Sequence, residues 1–257
     1  VYAQKTKNND KVIYLLMQKH LNLKTYSETG SYIGTSKVND DPPQISDVGK
    51  HTFFLDNVNK KVRIDADLKY YKPNFSDKHH YICTYEDSVD NIFSNLPKDR
   101  DSLSKKQEEI LTTINRHTSA FHLKNSHFNL FQKNIFEDTI AIQVETEKLN
   151  STKCYKLSRK YLRPVAQKRI EWEKKEKQRW DSMGVAHYYD ELPKRLQDFE
   201  EIQETYWFRK SDGMLIKNIH RTKTMMSQDI ISVYLIEHLY DPKSNPILPP
   251  DVFKRNK

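Results

Sequence analysis

Glycine is scarce, with five in 257 residues. Enzymes that cradle phosphates or cofactors place glycine where backbone must approach ligand closely. Here Gly30, Gly34, Gly49, Gly184 and Gly213 are scattered, and no helix pattern follows Gly30 and Gly34, which excludes a nucleotide loop. Cysteine is scarcer still. Cys83 and Cys154 are too few for a disulfide framework or a four-thiolate metal site, and point to a reducing compartment. Long apolar runs are absent too: the longest candidate, 230–239, is interrupted by Glu237 and His238 and falls short of the roughly 20 residues that span a bilayer. No membrane insertion is expected.

What is present is charge. Hydrophobic residues make up 36% and charged residues 30% of the chain, so only part of it can be core. Formal net charge is +8 at pH 7. It is unevenly spread: most of the excess follows residue 152, and residues 153–179 hold eleven Lys/Arg against three Glu. That run, KCYKLSRKYLRPVAQKRIEWEKKEKQR, carries Tyr155, Tyr161 and Trp172 among its cations. A concentrated excess argues for a surface that meets a polyanion. The candidate RNA-contacting residues are Lys153, Lys156, Arg159, Lys160, Arg163, Lys168, Arg169, Lys174, Lys175, Lys177 and Arg179. Pro164 suits the first turn of a helix, and nothing breaks a helix from there to about Met183, predicting a long basic helix over 165–182.

Elsewhere the pattern is mixed. Val12, Leu15, Leu16 and Leu23 recur at helical spacing behind an Asp10 cap, predicting a helix over 11–22. Residues 24–49, rich in turn residues, read as a long surface loop. His51–Leu55 and Lys61–Leu68 alternate around Asp56-Asn57-Val58-Asn59 and read as a hairpin. Ser88–Leu96 fits a short helix, and the Ser104-Lys-Lys-Gln107 box caps another over 105–116. Thr139–Glu147 alternates as a strand. Tyr189–Glu204 is acidic and suits a protein contact. Tyr206 onward gives a hairpin about Asp212-Gly213. Ile230, Ile231, Tyr234, Leu235, His238 and Leu239 predict a last helix over 228–239, followed by a proline-rich extended tail. The expected class is α+β, mainly helical with small antiparallel strand pieces, extended loops and no single large sheet. A division into an N-terminal α+β region, 1–152, and a basic helix, hairpin and C-terminal helix, 153–257, follows.

Chemistry is thinly signalled. His80 and Cys83 have a metal-like spacing, but tetrahedral zinc needs about four ligands. His117, His122 and His127 lie five apart, which gathers them on neither a helix nor a strand. Glu145 and Lys148 miss the spacing of strand-borne nuclease sites. No catalytic residue, metal or cofactor is assigned, and no small-molecule substrate is expected. The sequons Asn74-Phe-Ser76 and Asn150-Ser-Thr152 would accept glycans on a secreted chain, though such triplets also arise by chance. A chain beginning at Val1 leaves room for an upstream segment, an organelle targeting peptide being one possibility.

The chain resembles, in composition and style, the lineage-specific accessory proteins of mitochondrial ribosomes: Lys/Asn-rich, glycine-poor, with long loops, a basic helix and a tail. That resemblance implies a non-catalytic structural subunit of a ribonucleoprotein, located in the mitochondrion, contacting rRNA backbone and neighbouring proteins. The alternatives are a scaffold subunit of a protein-only complex and an enzyme whose site is assembled from dispersed residues.

Overall fold

A computed structural model of the chain describes residues 2–59, 61–72, 75–86, 89–94, 142–164, 175, 178, 182, 199–225 and 231–253. One helix, α1 (Tyr2–Leu21), precedes ten strands. These are β1 (Thr25–Val38), β2 (Gln44–Asp56), β3 (Lys61–Lys72), β4 (Phe75–Glu86), β5 (Val89–Ser94), β6 (Gln143–Leu149), β7 (Thr152–Pro164), β8 (Phe199–Arg209), β9 (Leu215–Met225) and β10 (Ile231–Ser244). They form one sheet in the order β5-β4-β3-β2-β1-β10-β9-β8-β7-β6. Every pairing is antiparallel. The sheet is two meanders, β1–β5 and β6–β10, joined where the first strand pairs with the last, from Tyr26 opposite Ser244 to Val38 opposite Ser232.

Alternation along the strands sends one set of side chains to the face that carries α1 and the other to the far face. On the helix side, Leu16 of α1 packs with Leu157, Tyr206, Phe208 and Leu215. Beside this lies a larger cluster built from Tyr26, Tyr32, Phe53, Leu55, Ile64 and Leu68, with Leu23 and Met214 closing it. The helix end is pinned by His20, whose Nε2 lies 2.9 Å from the carbonyl of Gly213 and whose ring meets Phe208 edge-on at 5.7 Å. Gly213 has φ +80, and a Cβ there would sit 2.5 Å from the Lys19 side chain, so the β8–β9 turn closes against α1 only with glycine.

The mainly helical expectation is overturned. The large sheet was not expected, and 24–49, read as a loop, forms most of β1 and β2. Its glycines serve close packing: a Cβ on Gly30 would stand 2.2 Å from the His51 ring. The predicted helix over 228–239 is β10. In that strand Tyr234, Ile236, His238 and Tyr240 face the helix side while Val233, Leu235 and Leu239 face the far side. A strand apolar on both faces gives the same run of residues as a buried helix, so periodicity cannot separate the two. The predicted helix over 88–96 is β5, for the same reason of a short apolar run. Residues 153–164, expected to lead into a basic helix, are β7. The one helix element among the described residues is α1, which begins at Tyr2 and not at an Asp10 cap. Lys175, Gln178 and Ser182 are helical and exposed, and the rest of 165–182 lies outside the described residues. The expected helix over 105–116 and the histidines 117, 122 and 127 also lie outside them. The hairpins about 56–59 and 212–213 are observed as β2–β3 and β8–β9, and the strand expected at 139–147 is β6. The expected boundary at 152/153 falls at the start of β7, and β7 pairs with β6.

Beyond β10 the chain turns at Asn245, whose side chain accepts from the Lys24 amide at 2.8 Å. Thr25 Oγ1 then donates to the Pro246 carbonyl at 2.7 Å, and Arg63 Nη1 donates to the Val252 carbonyl at 3.0 Å. Arg63 points to the far face, so the tail crosses the far face of β1–β3 at the end of the sheet near α1's C-terminus.

Burial drives the His20 pKa from 6.5 down to about 4, with the Gly213 contact opposing it. Between those pH values the unfolded chain takes up a proton that the native state refuses, so acidification should cost about 3 kcal/mol of stability across that window. Urea unfolding at pH 7 and pH 4.5 should show that loss in excess over a His20→Gln variant. Equal pH dependence in the two proteins would refute the assignment.

Candidate functional site

Two places in the sheet gather chemistry: a belt of buried ionisable groups on the helix side and a groove on the far face.

The belt follows from the register. Tyr26 Oη donates to Glu28 Oε2 at 2.6 Å, and His51 Nε2 lies 3.0 Å from Glu28 Oε1. His238 and Tyr240 stack with ring centroids 5.8 Å apart, and Tyr234 Oη donates to Asp47 at 2.9 Å. Across β7–β9, Arg159 pairs with Glu204, whose other oxygen is 3.2 Å from His220 Nδ1. Further along, Arg163 reaches Glu200 at 2.7 Å and Thr224 Oγ1 is 3.3 Å from the same carboxylate. Burial works to raise the Glu204 carboxyl. The His220 hydrogen bond and the Arg159 charge outweigh it and hold Glu204 below the usual carboxylate range. Burial raises the hydroxyls of Tyr32, Tyr206, Tyr234 and Tyr240, so these act as neutral donors.

A carboxylate–histidine pair is the usual orienting half of a nucleophilic site, but Glu28 and His51 have side chains 0% and 1% exposed. A substrate has no approach to that pair. Among the described residues the belt carboxylates Glu28, Glu200 and Glu204 each meet a partner, while His51 Nδ1 and Asn218 Oδ1 are buried without a hydrogen bond. The charged pairs report register: Arg159 and Arg163 oppose their glutamates only when β7 and β8 are correctly aligned.

Of the expected RNA-contacting residues, Arg159 and Arg163 face the helix side in these buried or half-buried pairs. Lys156 and Lys160 face the far side, where Lys156 meets Glu147 at 3.2 Å and Lys160 meets Glu201 at 2.9 Å. Lys153 sits at the start of β7 and Lys175 is exposed. Lys168, Arg169, Lys174, Lys177 and Arg179 lie outside the described residues. The strand thus divides Lys156, Lys160, Arg159 and Arg163 between two faces and pairs them with glutamates of β6 and β8. Within 153–164 these cations therefore do not share one face. His80 and Cys83, considered as metal ligands, share β4, and His80 Nδ1 lies 2.7 Å from Asp67. No group of three metal-ligating side chains forms among the described residues.

No family model matches the chain, and no curated protein matches it. Among solved structures it is similar to a DUF1329 family protein from Desulfovibrio piger ATCC 29098, at 10% identity over 97% of each chain, with a TM-score of 0.26. It is also similar to a β-barrel-like protein of domain of unknown function DUF1849 from Brucella abortus, at 10% identity over 84% of this chain and 98% of that one, with a TM-score of 0.19. The ribonucleoprotein expectation is withdrawn: the described start of the basic run, 153–164, is strand β7, and its Lys156, Arg159, Lys160 and Arg163 each pair with a glutamate of the same sheet.

The groove was invisible to sequence reasoning. It lies on the far face of β1–β4 as an open cleft of about 730 Å³, walled mainly by carbon. Register builds it from two adjacent rows: Ser31, Lys50, Asp67 and His80 in one, Ile33, Val48, Lys69 and Lys78 in the other. Four strands and two rows make a floor of about 14 by 7 Å. Asp67 is engaged by His80, whereas Lys50 and Lys69 have no ion pair among the described residues, Lys69 lying 4.3 Å over the Tyr71 ring. Elsewhere on that face the cations Lys156, Lys160, Lys217 and Arg221 each meet a glutamate. Only a pairing table could have exposed the groove, because its residues come from four strands and no two ligand-facing side chains are adjacent in sequence.

The belt and the far-face pairs should differ sharply in energy. Glu204→Gln takes the opposing charge from buried Arg159 and should cost about 3–5 kcal/mol, while Glu201→Gln on the wetter face should cost under about 1 kcal/mol. Denaturant titration of both variants checks this, and similar losses would show that the buried pair carries no special weight.

Proposed function

We propose that the protein is a non-catalytic binding protein that holds a small anionic molecule in the far-face groove. The observation that supports this reading is the imbalance of charge there: Lys50, Lys69 and Lys78 line the cavity, and its one carboxylate, Asp67, is engaged by His80. A cleft of this volume is of the size that takes a small ligand, and apolar walls beneath a few placed charges are the usual composition of such sites. The low-dielectric floor strengthens attraction between an ammonium and an anion relative to open water. The groove does hold a carboxylate–histidine pair, Asp67 and His80 at 2.7 Å, but among the described lining residues the one hydroxyl on that face, Ser31, stands three strands from His80, about 14 Å away, which favours binding over nucleophilic catalysis.

The anionic dye 1-anilinonaphthalene-8-sulfonate, titrated into the full chain, should bind saturably at one site. Its uncharged relative N-phenyl-1-naphthylamine should bind at least tenfold more weakly. Replacing Lys50, Lys69 and Lys78 together by Gln should weaken the sulfonate about tenfold or more and flatten its salt dependence, with far-UV dichroism unchanged. A Lys156→Gln/Lys160→Gln control should bind like the parent. Undiminished binding by the triple variant would refute the groove as the site.

A further inference from the structure

Resting on that reading, we infer that the ligand is a single-chain amphiphile, with an anionic head at β3–β4 and an aliphatic chain running across β2 and β1 to β10. The groove is polarised along the strand order. Its cations Lys50, Lys69 and Lys78 belong to β2, β3 and β4, whereas its apolar side chains on that face belong to β1 and β2, the exposed Ile33 and the half-buried Val48. The apolar track does not stop at the groove wall. Leu239 of β10 is in register with Ser31 of the lining and is 48% exposed, beside Ile33 at 51%. Isolated exposed apolar residues are ordinary, but two on neighbouring strands that continue a cavity floor make a directional surface.

The track also has an end. Glu237 of β10 stands opposite Ile33 and holds Lys217 of β9, itself in register with Leu239, at 3.0 Å, so this ion pair flanks Leu239 and closes the carbon track there. On the other side the C-terminal tail, fixed by Arg63 to the Val252 carbonyl, crosses the same face two rows below the groove. From Lys69 or Lys78 to Leu239 is three to four strand spacings, about 14–19 Å. A compact anion would fill only the charged end. An anion bearing an extended chain meets both the ammonium groups and the whole carbon track, and the lysine stems add methylene surface beneath their charged tips.

The test is a homologous series, butanoate, hexanoate, octanoate and decanoate, each titrated into the full chain by calorimetry below its micelle concentration. Affinity should rise about threefold to fourfold with each added methylene, the increment expected for burying one such group. The matching primary alcohols should bind at least tenfold more weakly at every length. Ile33→Ser with Leu239→Ser should flatten the dependence on chain length, and Lys50→Gln with Lys69→Gln should lower all affinities while keeping that dependence. Affinity independent of chain length, with the sulfonate dye still bound, would overturn the amphiphile and leave the anion site standing. Failure of every anion, dye included, would overturn both. Sedimentation with phosphatidylglycerol vesicles, without binding of the monomeric carboxylates, would overturn it in favour of a membrane surface.

Discussion

The pairing of β1 with β10 is the contact on which the rest of the sheet depends. Most neighbouring strands within each half are joined by short connections and can zip locally, but β1 lies between β2 and β10, and the two halves become one sheet only through residues some two hundred positions apart. Closing so long a loop carries an entropy cost that local hairpins do not, and it must be met before the non-local contacts contribute. The same pairing aligns the helix side for its core, with Tyr32 against His238 and Gly30 against Tyr240. It also aligns the far side, where Ser31 meets Leu239 and the groove floor is extended.

Buried charge then sharpens the alignment that hydrophobic burial begins. A slip of one residue in β8 would turn Glu200 and Glu204 to the far face and strand Arg159 among apolar neighbours. Correct register places these carboxylates opposite Arg163, Arg159 and His220. The belt therefore penalises wrong pairings more than it stabilises the right one. Glycine supports it from β1: Gly30 admits the His51 ring and Gly34 admits the Asp47 carboxylate, each at a separation no side chain would permit.

The far face is organised differently. From β6 to β10, Lys156, Lys160, Lys217 and Arg221 each meet a glutamate in partly exposed pairs of small energetic value. In the groove of β1–β4, Lys50 and Lys69 have no ion pair among the described residues and stand beside carbon. A binding function suits that contrast, since a sheet face needs cross-strand charge pairing for its own stability and leaves it out where another molecule is to supply the charge. The rigid strands set the spacing, and the pinned tail bounds the surface from one end.

Local chemistry was legible in the sequence. The turn residues Asp56-Asn57 and Asp212-Gly213 marked two hairpins, the apolar spacing of Val12 and Leu16 marked part of α1, and the scarcity of glycine and cysteine removed nucleotide loops and thiolate metal sites from consideration. These are properties of a few neighbouring residues, and the chain determines them before it folds. Tertiary structure alone decided that β1 and β10 are strands: β1, rich in Gly, Ser and Thr, has the composition of a loop, while β10 carries apolar residues on both faces, a run that looks like one from a helix. It alone decided what the charges mean. Lys156 and Arg159 are three apart in a basic run, yet the pleat sends them to opposite faces, each to a different glutamate, whereas Lys50, Lys69 and Lys78, unremarkable along the chain, are brought together by hydrogen-bonded register.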